Sequence, residues 1–234
     1  MSRHIVFRIL LIVFTINGLN SQVIIGTGEV IYKKKMIDSY KKDSMKEDPL
    51  FNQASLASEL QNYTLSFNIN TSKFIFHENL GLETSAKERY NSKLSSLLCN
   101  DYNYYYDSKN NVGIQDYDGI LVSDDTTINW NITNESKTIS GFLTYKATYS
   151  STIINHKGEL KEILINAWFA PSIPIPYGPK NYNSLPGLIL ELQDMVSIIY
   201  ATDIKLNLKE KIKLDFPKGK VLSKEEYRKM IKTR

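Results

Sequence analysis

A chain of 234 residues, 42% hydrophobic and 23% charged, is long enough for one domain with its own core and too apolar for wholesale disorder. Its formal charge of +4 is dispersed. Lys33, Lys34 and Lys35, Lys41 and Lys42, and the lysines between 209 and 220 are interrupted by acids, so they read as a solvated face and supply no continuous stripe for nucleic acid. The single cysteine, Cys99, excludes an internal disulfide and, following Leu97 and Leu98, reads as a small buried hydrophobe.

The first residues have the layout of a secretory signal: basic Arg3 and Arg8, an apolar run from Ile9 to Ile16, then small and polar residues up to Ser21. The run is well short of the roughly 20 residues that span a bilayer, so cleavage after Ser21 is expected. Residues 22–234 would then form a single β-rich domain with a short C-terminal helix. No later segment is apolar enough to span, and no cysteine follows the signal for lipid attachment, so any membrane association should be peripheral. Without Arg3 and Arg8 the formal charge falls to +2.

Asp48 before Pro49 starts a helix with Leu50, Phe51, Ala54, Ala57 and Leu60 at helical spacing. Tyr63, Leu65, Phe67 and Ile69 then alternate with polar residues, and Phe74 and Phe76 follow a short turn, which predicts a β-hairpin. Ser85 with Glu88 forms a capping box before Tyr90, Leu94, Leu97 and Leu98. The stretch from Asp101 to Asp125, dense in Asn, Asp and Tyr, predicts short strands with Gly113 and Gly119 as breakers.

Further strands are expected where Leu143, Tyr145, Ala147 and Tyr149 alternate, where Ile163, Ile165, Ala167 and Phe169 alternate, and where Ile198, Tyr200, Ile204, Leu206 and Leu208 share one side. A second capping box, Ser223 with Glu226, opens a last helix with Tyr227, Met230 and Ile231. Alternation of this kind favours antiparallel strands with one covered face. The fold expected is mostly β or α+β: a single curved, half-barrel-like antiparallel sheet of seven to ten strands, with one or two helices against its concave side.

Between Phe169 and Leu188 runs a stretch with five prolines, at 171, 174, 176, 179 and 186. Each fixes φ and biases its predecessor towards extended backbone, so the segment should be stiff and outside any central sheet. Pro186-Gly187 suits the centre of a type II turn. Loops this long are often functional. The candidate binding residues are Trp168, Phe169, Pro174, Pro176, Tyr177, Gly178, Pro179, Tyr182, Leu185, Pro186 and Gly187. The bland alternative is a plug that covers an open end of the sheet.

The run from Ala167 to Pro179, the run Leu185-Pro186-Gly187-Leu188-Ile189-Leu190-Glu191, and the upstream Trp130 and Lys146-Ala147 resemble the GLPGLI family of exported Bacteroidota proteins. The resemblance covers roughly residues 128 to 208. Two positions depart from it: Ser184 replaces the first glycine, and Lys180 replaces an aromatic. Serine at 184 predicts backbone without positive φ there. The resemblance implies export to the periplasm, the outer membrane or the exterior, and implies no activity.

His77 and His156 stand apart, with no second ligand at metal spacing. Asp116, Asp118, Asp124 and Asp125 lack the pattern of a calcium loop and read as turns. Neither a phosphate loop nor a nucleophile elbow is present, and no cofactor is implied. The function expected is a non-catalytic envelope module that binds an apolar ligand or a protein segment. The alternatives are an accessory protein of an outer-membrane transporter and a hydrolase of unrecognised type.

Overall fold

The computed structural model describes residues 26–37, 49–77, 85–124, 127–154, 160–209, 212 and 214–232. The expected signal segment, Asp48, Asp125 and His156 lie outside the described residues. The strands are β1 (Thr27–Met36), β2 (Asn62–Asn68), β3 (Thr71–His77), β4 (Asn103–Asp107), β5 (Val112–Tyr117) and β6 (Ile120–Ser123) in the first half. The second half contributes β7 (Asn131–Ile139), β8 (Phe142–Ile154), β9 (Leu160–Ala170), β10 (Leu188–Gln193), β11 (Ser197–Leu206) and β12 (Val221–Leu222). Helices are α1 (Pro49–Glu59), α2 (Ala86–Cys99) and α3 (Lys224–Lys232).

All twelve described strands join one open sheet in the order β12-β6-β5-β4-β3-β2-β1-β11-β10-β9-β8-β7. Every pairing is antiparallel except the two-residue contact of β12 with β6. The mostly-β sheet, unclosed and backed by helices, is the architecture the alternation predicts, with more strands than the seven to ten expected.

Alternation decides which face is covered. On β1, Val30, Tyr32, Lys34 and Met36 point inwards while Lys33 and Lys35 are exposed. From Val30 the register carries the covered face through Leu65, Phe74, Tyr104 and Gln115 to Val122. From Lys34 it runs the other way through Ile199, Leu192 and Ala167 to Ala147. The expected hairpin is present, with Tyr63, Leu65 and Phe67 fully buried, whereas Ile69 sits exposed at its turn.

Three expectations about faces fail for local reasons. In β11 the register slips between Ile31 and Tyr32 of β1, leaving Thr202 as an extra residue. A bulge of this kind reverses the parity of everything beyond it. Ile199 and Ala201 therefore share the core with Ile204 and Leu206, and Ile198 and Tyr200 face the other way. In α2 the buried residues are Asn91, Ser95 and Cys99, and Tyr90 and Leu97 are exposed. The end of the sheet beneath this helix is polar: buried Gln61 donates its amide to the Ser92 carbonyl and to the hydroxyls of Ser92 and Ser96. In α1, Phe51 and Ala54 turn inwards, and Leu50 and Leu60 are exposed.

Lys34, expected on a solvated face, is a correction to a charge assignment. It is completely buried and ion-paired with Asp101, which is buried too. Asp101 follows α2, whose last turn closes with Asn100 in the left-handed region. Gly113 does not break a strand. It lies within β5, where a side chain would fall 2.3 Å from the Asp124 carbonyl oxygen.

Both capping boxes are formed. At α2 the Ser85 hydroxyl accepts from the Glu88 N–H, and the Glu88 carboxylate accepts from the Ser85 N–H at 2.7 Å. Ser223 and Glu226 repeat the arrangement at α3. Replacing Ser85 with Ala is expected to cost about 1 kcal/mol, read as a lower urea midpoint at unchanged slope.

Candidate functional site

The proline segment between β9 and β10 is threaded through the interior. Its residues alternate as a strand's would: Ile173, Ile175 and Tyr177 are buried, while Pro174 and Pro176 face out. The buried members join the cluster formed by Val30, Tyr32, Tyr63, Leu65, Phe67, Phe74, Tyr104 and Tyr106. Tyr177 packs against Phe67 and Tyr106, and its hydroxyl donates to the Ile69 carbonyl at 3.2 Å. Backbone bonds from Leu188 to the Ile173 carbonyl and from Ile189 to the Tyr177 carbonyl hold it alongside the start of β10. The plug is therefore the arrangement adopted by most of this segment.

At the tip, Pro179–Asn181 form one 3-10 turn, and Lys180, Asn181 and Ser184 all have positive φ. Ser184, at +71°, thus has the positive φ that serine was expected to avoid. Its hydroxyl donates to the Asn183 side chain, one of the local bonds that hold this tip. Gly187 is needed for a different reason than a type II turn. Its φ is not positive, and a side chain there would lie 2.3 Å from the Ala170 carbonyl oxygen.

The sequence-predicted site residues do not converge. Trp168 lies half-buried on the opposite face of β9, with the Lys137 ammonium 4.2 Å from its ring. Phe169, Pro179 and Leu185 are core, Gly178 packs on Ile189, and Pro186 is exposed. Tyr182 alone borders a cavity, of about 410 Å³.

That cavity exists because the sheet curls. Its wall includes Gln115 and Tyr117 of β5 together with Tyr149 and Ser151 of β8. In a flat sheet the eight strand-to-strand steps between β5 and β8 would separate them by roughly 38 Å. All four project from the covered face defined above, so the cavity is the concave space that the loop tip leaves unfilled.

Its polar wall is ordered. The Tyr117 hydroxyl donates to Gln115 Oε1 at 2.7 Å, Gln115 Nε2 donates to the Tyr104 hydroxyl at 3.0 Å, and that hydroxyl donates to the Asn100 carbonyl. Lys180 donates to the Cys99 carbonyl at 2.8 Å and to Asp194 Oδ2 at 2.9 Å. Asp194 Oδ1 accepts from the backbone N–H groups of Val196 and Ser197. Asp124 is paired with Lys224 of α3 at 2.7 Å. Trp130 donates to the Asn183 carbonyl and lies about 6 Å from the rings of both Tyr149 and Tyr182. Among the described residues, the hydroxyls of Tyr149 and Tyr182 make no hydrogen bond. Ile128, Ile163, Ile165, Met195 and Val196 supply the apolar part of the wall.

Burial pushes the Tyr182 phenol up to about 12, against the opposing influence of the Lys180 ammonium. Burial likewise pushes Tyr117 up to about 12, so these phenols are neutral hydrogen-bonding groups near pH 7. For Asp194, burial alone would raise the carboxyl. The Lys180 ammonium and the hydrogen bonds from Lys180, Val196 and Ser197 outweigh it and hold the carboxyl below its ordinary value. Burial opposes the charge on Lys180 as well, but Asp194 and Asp101 raise its ammonium above the ordinary lysine value.

A carboxyl depressed on folding stabilises the protein fully above its unfolded value of about 3.9. That contribution is lost as pH falls through the lower folded value, whereas the raised Lys180 contributes fully below about pH 10 and loses its share only above it. The urea midpoint is therefore expected to drop as pH falls below about 4, and to drop less in Lys180→Met, which removes the main source of the depression.

The fold and site together define a curled open β-sheet that packs around a segment of its own chain and retains a polar, tyrosine-lined cavity beside it. The model of a family described as a protein of unknown function (Porph_ging) matches residues 154–191. The matched stretch contains the proline loop on which the GLPGLI resemblance rests. No curated protein matches the chain. Two solved structures are similar, described as "Structure of PNGF-II in C2 space group" and "Structure of PNGF-II in P21 space group". Each has a TM-score of 0.51 at 17% identity and covers 88% of this chain. The match takes in 32% and 33% of the two PNGF-II chains, so this chain spans about a third of their length. At that identity the likeness concerns fold alone.

Proposed function

We propose that this chain is an exported envelope protein of the GLPGLI type, acting as a non-catalytic binding module whose ligand occupies the cavity beside Tyr182. The observation that carries this reading is the cavity itself: the loop fills most of the concave face with Ile173, Ile175 and Tyr177 and stops short at Lys180–Tyr182. A volume of about 410 Å³ with a few convergent polar groups is of the size small ligands use. The expected export rests on the leader, and the family on the proline loop.

The non-catalytic part is supported by the pairing of both cavity carboxylates with lysines, which leaves neither arranged as an acid or base. Docking to a membrane partner through the loop is less well supported, because the loop's apolar residues are spent on the core. The edge strand β7 is bulged between Ile132 and Ser136 and carries Glu135 and Lys137, features that blunt strand addition.

Native mass spectrometry of the protein purified from its own cells tests the reading, with Ser151→Trp as the control that fills the cavity. Wild type is expected to retain a small molecule that the variant lacks. Bare mass for wild type, or the same adduct on both proteins, would overturn it.

A further inference from the structure

The lining also says what kind of ligand fits. Three charged residues border the cavity among the described residues, Asp124, Lys180 and Asp194, and each is in an ion pair. Lys180 and Asp194 neutralise one another within the wall, and Lys224 reaches Asp124 from α3. An anion placed against Lys180 would also meet Asp194, whose carboxylate lies 2.9 Å from that ammonium. A cation placed against either aspartate would meet the lysine already bound there. Burying a charge without a counter-charge is costly, so the wall selects against both.

Apart from one remaining donor on the paired Lys180, the groups left to bind with are neutral and two-sided. The Tyr149 and Tyr182 hydroxyls each donate and accept, Lys180 has one ammonium proton beyond its two bonds, and Ser151 lies on the same side. Between them the tyrosine rings and Ile163 and Ile165 offer flat and apolar surface. A long acyl chain would use the apolar patch but strand these hydroxyls against hydrocarbon.

We infer that the cavity takes an uncharged, ring-bodied ligand carrying hydroxyl or amide groups, in preference to an ion or a plain hydrocarbon chain. The inference rests on the binding reading above and narrows it.

Three probes of nearly one shape separate the possibilities: benzamide, benzoate and benzylamine, titrated at pH 7 into wild type and into Ser151→Trp and Ile163→Trp, with binding followed by ligand-observed NMR. Benzamide is expected to bind wild type at least about tenfold more tightly than either charged probe. At least one folded tryptophan variant should abolish that binding. Equal or tighter binding of benzoate or benzylammonium to the same site would overturn the neutral-ligand inference and leave the binding module standing. No binding by any of the three, with no molecule retained by the native protein, would overturn both.

Discussion

Asp101→Ala is expected to destabilise the protein by about 3–5 kcal/mol, because it leaves the Lys34 ammonium buried without a counter-charge. Neither side chain reaches solvent, and Lys34 has the Tyr63 ring 5.5 Å away as its other neighbour of note. The loss comes mainly from the stranded charge and only secondarily from the broken contact. Replacing both partners, Lys34→Met with Asp101→Val, should accordingly recover most of it, as apolar substitutes for buried pairs commonly do. Asp101 Oδ1 has no hydrogen-bond partner, so the wild-type pair is itself imperfectly satisfied. Urea denaturation of Asp101→Ala and of the Lys34→Met, Asp101→Val double variant makes the comparison. A double variant no more stable than Asp101→Ala would show that packing, not charge, dominates there.

Tyr177→Ala should be of similar size, about 3–5 kcal/mol, since it opens a cavity where the loop meets the sheet. The ring is 1% exposed and touches Phe67 of β2 and Tyr106 of β4, elements separated by β3. Tyr177→Phe keeps the ring and loses only hydrogen bonds to the Ile69 carbonyl and the Ser108 hydroxyl, for about 1 kcal/mol. Thermal unfolding of the two variants side by side distinguishes a structural plug from a loop that merely rests on the surface. A loop at the surface would make the alanine variant nearly as stable as the phenylalanine one.

How much of this was legible in the sequence depended on the range of the interaction. Tyr63, Leu65 and Phe67 announce their face because each strand's alternation is local, and the Ser85 and Ser223 boxes announce helix starts for the same reason. Lys34 was legible too: extending the alternation of Val30 and Tyr32 by one more step places it inside, and only its charge argued otherwise. The bulge at Thr202 was not, because an extra residue leaves no mark in the sequence of β11 itself.

The cavity is less legible still. Gln115 and Tyr149 become neighbours through the accumulated curl of the strands between them, and no spacing records it. The proline loop did stand out, but for its stiffness. Of its eleven candidate residues, Tyr182 alone borders the cavity, while Lys180, set aside as a departure from the family's pattern, turned out to line it.

The same threaded loop governs when this core can be completed. β1 is hydrogen-bonded to β11, with Gly28 opposite Leu206, and the core beneath β1 to β4 is completed by Ile173, Ile175 and Tyr177. Contacts spanning so much of the chain carry a large loop-closure cost and go with slow folding. During synthesis Tyr32, Tyr63, Phe67 and Phe74 are made well before their full cover, because the proline segment emerges more than a hundred residues after Phe67. This core is thus incomplete until residue 177 has been made, and a nascent chain halted before residue 171 lacks Ile173, Ile175 and Tyr177.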